Sequence, residues 1–78
     1  MDMASAVSKI KFALCIVDTD CDDLEKGRVY VVRPDAAAKR EGYLRVVDAS
    51  GEDYLYPESN FVFVDLPTNA KDALLAAH

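Results

Sequence analysis

The sequence predicts an all-β fold: a small five-stranded barrel with a short helix at its C-terminal end. Three observations carry this reading. Apolar residues alternate with a period of two in short runs, turn-forming Gly, Pro, Asp and Asn punctuate those runs at close intervals, and the spacing becomes helical only after Pro67. With 78 residues the chain holds one domain and one core, and a domain of this size buries only about 60% of its unfolded surface. The expected division is a flexible segment over residues 1 to 9, the barrel over residues 10 to 66, and a helix over residues 67 to 78 packed on the barrel.

Residues 10 to 17, IKFALCIV, set Ile10, Phe12, Leu14 and Ile16 on one face and Lys11, Ala13, Cys15 and Val17 on the other, which predicts the first strand with Leu14 in the core. The following DTDCDDLEKG holds five acids within residues 18 to 25, so a solvated loop closing at Gly27 is expected. RVYVVR, residues 28 to 33, is β-branched and aromatic, and Pro34 ends it because proline has no N–H for a ladder. Tyr30 is expected to pack inside. PDAAAKREG carries turn residues at both ends, and its three alanines suit a single helical turn. GYLRVVD and DYLY then read as a hairpin with Leu44 and Val46 inward, joined by a tight turn in which Gly51 takes positive φ. Pro57 breaks that strand. FVFVDL forms the last one, with Val62 and Val64 on one face, Phe61 and Phe63 on the other, and Val62 in the core. Beyond Pro67, Thr68 or Asn69 is placed to cap a helix with Asp72 in its first turn, and Ala70, Ala73, Leu74 and Ala77 share a face that would dock near Phe63.

The charge balance constrains function more than the composition does. A hydrophobic share of 51% with 29% charged residues belongs to an ordinary globule. The net charge of −5, from 14 acidic and 9 basic residues, repels a phosphate backbone, so direct nucleic-acid binding is not expected. No apolar run approaches the ~20 residues of a membrane span. The opening MDMASAVSK lacks the apolar core of a signal peptide, and a cytoplasmic location is the expectation. There Cys15 and Cys21 are expected as reduced thiols, since their spacing matches neither a C-x-x-C redox motif nor a zinc knuckle.

The order of these features resembles an SH3 domain over residues 12 to 66. Ala13-Leu14 is similar to the family's A-L at the start of the first strand, and Asp22-Asp23-Leu24-Glu25-Lys26-Gly27 to its acidic loop and diverging turn. Tyr43 falls near the place of the family's tryptophan pair, residues 48 to 53 near its distal hairpin, and Pro57 with Asn60-Phe61 looks like its P-S-N-Y segment. The resemblance implies an SH3-like barrel and a groove for extended proline-rich peptides. This chain places Cys15 and Val17 where that groove needs aromatics and contains no tryptophan, so the bacterial SH3-like type, without a complete proline-peptide groove, is the nearer likeness.

Asp18, Asp20 and Asp22 have the spacing that opens a calcium-binding EF-hand loop, but Asp23 stands in place of the required glycine and Val29 at the twelfth position. No metal and no cofactor are expected. His78 is the only histidine and ends the chain, none of Ser5, Ser8, Ser50 and Ser59 has a histidine nearby, and three glycines make no phosphate loop. The expected function is therefore that of a small non-enzymatic protein-interaction module. Its acidic loop (Asp18, Asp20, Asp22, Asp23, Glu25) and an adjacent surface of Tyr43, Pro57, Asn60 and Phe61 would meet another protein of basic or mixed charge. Two alternatives share the composition: an acidic mimic of nucleic acid that occupies a DNA-binding protein, and a structural accessory subunit of a larger enzyme. The chain itself is expected to be a monomer or weak homodimer.

Overall fold

Short runs of Val and aromatic residues separated by turns leave each strand too brief to bury anything alone, and pairing joins them into one antiparallel sheet. The computed structural model describes residues 10 to 76. The expected flexible segment and the roles considered for Ala77 and His78 fall outside the described residues. The elements in chain order are β1 (Lys11–Cys15), β2 (Val29–Arg33), α1 (Ala36–Arg40), β3 (Tyr43–Val47), β4 (Asp53–Pro57), a 3₁₀ turn (Glu58–Asn60), β5 (Phe61–Val64) and α2 (Thr68–Ala76). The strands lie in the order β4-β3-β2-β1-β5, all antiparallel.

The five expected strands and the terminal helix are all present, so the fold is all-β and barrel-like. Its closure is incomplete. Among the described residues no ladder joins β4 to β5. Pro57 supplies no N–H at the end of β4, and the 3₁₀ turn carries the chain across the gap, where the Asn60 carbonyl accepts from the Ile16 and Val17 N–H groups at 2.8 and 3.3 Å.

Register decides which face is inside. Pairing of Ala13 with Tyr30 and Phe63, of Cys15 with Phe61, and of Val32 with Val46 puts these residues on the concave face. The core there is Ala13, Cys15, Leu24, Tyr30, Val32, Leu44, Val46 and Phe61, with Cys21 and Tyr56 packed against it. Phe61 stands edge-on to both Tyr30 and Tyr56, each with ring centroids 6.4 Å apart.

Two expectations fail at this point. Leu14 is only half-buried and Val62 is 50% exposed, because both occupy the convex face as a cross-strand pair. Both faces of β1 and β5 are apolar in sequence, so alternation divides them correctly and does not say which turns inward. Phe12 and Val31, also paired on the convex face, are buried. The helix α2 lies against β2, and its Lys71 lines a shallow surface pocket together with Phe12 and Phe63. The cap expected at Thr68 or Asn69 is displaced: Lys71 N–H donates to the Pro67 carbonyl, Thr68 is already helical, and Asp72 lies beyond the first turn.

The alanine run does form a helix, α1. The Asp35 side chain caps it by accepting from Ala38 N–H at 3.0 Å and from Arg45 Nε at 2.8 Å, and Ala38 is buried beneath. At the opposite end of β3, Gly51 takes φ +85° in the hairpin turn, as expected. Among the described residues no helix is long and apolar enough to cross a membrane.

The two faces predict different responses to truncation. Leu44→Ala should cost about 2–5 kcal/mol in urea unfolding, because it opens a cavity in the concave core. Val62→Ala should stay within about 0.5 kcal/mol, as for other exposed positions. Equal losses for the two variants would place the core on the other face.

Candidate functional site

The acidic run between β1 and β2 is folded, and a single apolar side chain is the reason. Leu24 is buried in the core in the middle of the acids, and Cys21 packs beside it. The expectation of a fully solvated loop is corrected accordingly: burial of Leu24 fixes the run while its carboxylates stay in water. Backbone bonds complete the hold. Cys21 N–H donates to Asp18 O, Leu24 N–H to Cys21 O, Arg28 N–H to Glu25 O, and Gly27 N–H to Cys15 O. Asp20 takes φ +60°, a left-handed conformation that aspartate tolerates better than most residues.

The loop also docks on the β3–β4 hairpin, where Ala49 N–H donates to the Asp23 carbonyl at 3.0 Å. That hairpin turn is organised by Asp48, which is 1% exposed. Its Oδ2 accepts from the Tyr56 hydroxyl at 2.7 Å, and its Oδ1 accepts from the Ser50 amide at 3.0 Å and from the Ser50 hydroxyl. Burial pushes the Asp48 carboxyl up, yet the hydrogen bonds from Ser50 and Tyr56 together outweigh it and hold the group below the usual carboxylate range. The Tyr56 hydroxyl is pushed far above its ordinary value by burial and by the carboxylate it serves.

The acids divide by what holds them. Asp18 accepts from Lys26 N–H at 3.1 Å, and Glu25 pairs with Arg28 at 3.2 Å. Asp20, Asp22 and Asp23 make no ion pair among the described residues and are exposed. Within reach of the Asp23 charge, Tyr54 is 49% exposed and donates to Glu52 at 2.9 Å. Its hydroxyl is held above its ordinary value by that bond to Glu52, then by the charges of Glu52, Asp48 and Asp23. A continuous negative surface thus runs from the loop onto the hairpin, with an aromatic ring in it.

The remaining expected site residues are dispersed. Phe61 is in the core and offers no surface. Asn60 is half-buried, its backbone carbonyl used by Ile16 and Val17 and its side-chain amide 4.0 Å from the Cys21 sulfur. Tyr43 and Pro57 are exposed and pair with one another across β3 and β4. They stand at the far end of β3 from Asp48, roughly 17 Å away for five residues of strand. Sequence reading missed Asp48 and Glu52 as parts of the acidic end. The D-x-S-G turn was a usable signal for Asp48, since an Asp two residues before its partner amide closes its own turn. Both thiols are free, and Cys15, wholly buried, is pushed up by burial. Among the described residues no three His, Cys, Asp or Glu side chains converge as a metal site.

Comparison with family models, with curated proteins and with solved structures finds no match to this chain.

The Asp48 network predicts both a mutational and a pH effect. Asp48→Asn puts an NH₂ group against donors and should cost about 2 kcal/mol, while Tyr56→Phe should cost about 1–2 kcal/mol, typical of hydrogen bonds to a buried charge. Because the folded Asp48 titrates below its unfolded value, its stabilisation is complete above about pH 4 and is lost as pH falls through the folded value. Acid unfolding should therefore be shallower in Asp48→Asn than in the parent, with Asp35, also held low by its helix cap and Arg45, contributing the remainder. Identical pH profiles for parent and variant would remove the network from the stability of the fold.

Proposed function

We propose that this domain is a protein-interaction module whose acidic end, formed by residues 18 to 25 together with Glu52 and Tyr54, receives a basic segment of another protein. One observation carries the reading. Leu24 and the Asp23–Ala49 bond fix the backbone, so that Asp20, Asp22 and Asp23 are presented without ion pairs among the described residues, with the half-exposed Tyr54 ring within reach of Asp23. A lysine or arginine side chain meeting such a surface finds carboxylates for its charge and an aromatic face for its stem or guanidinium. Fixing the carboxylates beforehand reduces the ordering cost of association. The pattern suits arginine especially, because a planar guanidinium both pairs with carboxylates and stacks on tyrosine.

The likeness to SH3 domains, and the cytoplasmic setting that goes with a small thiol-bearing domain, form part of this proposal. The strand order and the acidic loop support the likeness. Burial of Phe61 and the distance of Tyr43 from the acidic end favour a charge-led interface over a proline-peptide groove.

Titration of the isotope-labelled chain with an arginine-rich peptide, followed by NMR, should give saturable shifts at residues 20 to 25 and 52 to 54. Binding should weaken as salt rises from about 0.1 M to about 1 M, since the Debye length falls from about 10 Å to about 3 Å. The triple variant Asp20→Asn, Asp22→Asn, Asp23→Asn should stay within about 0.5 kcal/mol of parental stability and lose most of the association rate. Absence of saturable shifts at low salt, or shifts confined to the opposite end of the strands, would contradict the proposal.

A further inference from the structure

The end of the sheet remote from the acidic loop holds a cavity of the opposite character. Its volume is about 460 Å³, within the range of roughly 300–1,000 Å³ typical of small-molecule sites. Its apolar lining is Val32 and Leu44, both buried core residues, together with Tyr43 and Phe63, both exposed. Four basic side chains line it, Lys11, Arg33, Lys39 and Arg45, against the single acid Asp35. The two arginines are already committed: Arg45 to Asp35 at 2.8 Å and Arg33 to Asp53 at 3.6 Å. Lys11 and Lys39 make no ion pair among the described residues. The Lys11 ammonium sits 5.6 Å from the centroid of the Phe63 ring, which holds positive charge directly over an apolar wall.

In a chain of net charge −5, two unpaired lysines at one apolar mouth are a local inversion of sign. The mouth is lined from β1, β2, α1, β3 and β5, and Phe63 and Tyr43 stand exposed at it. From the apolar and aromatic lining and the two free ammonium groups we infer that this mouth binds a small organic carboxylate with an apolar body. The hydrocarbon or ring would cover Val32 and Leu44 between Tyr43 and Phe63, removing their exposed apolar area from water, and the carboxylate would lie between Lys11 and Lys39. This site is separate from the acidic end and stands or falls independently of it.

The test uses octanoate and octan-1-ol, which share a chain length and differ in charge, each titrated into the labelled protein. Octanoate should give saturable shifts at Val32, Leu44, Tyr43 and Phe63. Octan-1-ol should bind at the same residues about three- to tenfold more weakly, the factor expected when one or two partly exposed ion pairs are removed. In the Lys11→Gln, Lys39→Gln double variant, with thermal melting used to confirm that it is folded, the two ligands should bind alike. Octylamine should not bind at the mouth at all. The inference is overturned if octanoate gives no saturable shifts there, if its preference over the alcohol survives the double substitution, or if octylamine binds as well as octanoate.

Discussion

The buried carboxylate of Asp48 is the constraint on which the rest of this small domain turns. A charge taken out of water at the end of a strand is tolerated only if donors replace the water, and here Ser50 and Tyr56 do so. Satisfying it closes the β3–β4 turn, fixes the Tyr56 ring against Phe61, and sets Ala49 where its amide reaches the Asp23 carbonyl. Core, hairpin and acidic loop therefore share one polar anchor. No buried side-chain polar atom is left without a partner among the described residues, as such an anchor requires.

That anchor sorts the surface into two ends. Residues 18 to 25 and the 48 to 52 turn gather at one, where backbone bonds and Leu24 keep the carboxylates in place. The other end receives α1, Lys11, Arg45 and the open mouth between β3 and β5. The polarity follows from antiparallel topology: loops joining successive strands alternate between ends, and this sequence puts seven of its fourteen acids in the β1–β2 and β3–β4 connections and Lys39 and Arg40 in the β2–β3 connection. Two binding chemistries can then coexist on a domain with a single core.

Much of the fold was legible in the sequence. Period-two runs, Pro34, Gly51 and Pro57 placed all five strands, and Leu44, Val46 and Tyr30 were correctly assigned to the interior. What escaped was the choice between two apolar faces. Leu14 and Cys15 are both hydrophobic, and only cross-strand register with Phe61 and Val62 shows that Cys15 points inward. The site was less legible because its decisive residues look ordinary. Leu24 reads as a stray apolar residue in an acidic run, and Asp48 as one more turn aspartate, until the sheet curls and brings Tyr56 and Ala49 to them. Phe61, conversely, resembled a surface aromatic and is central to the core because the curl places it between Tyr30 and Tyr56.

Asp48 couples the hairpin to the acidic loop, beyond adding to global stability. Amide hydrogen exchange in the parent and in Asp48→Asn, under conditions where both are folded, tests this most directly. The prediction is that the Ala49 and Leu24 amides lose protection by a larger factor than the Ala13 and Val46 amides in the sheet, reporting local release of the loop from the hairpin. If Ala49 and Leu24 instead change by the same factor as Ala13 and Val46, the carboxylate contributes only to global stability, and the coupling claimed for it is wrong.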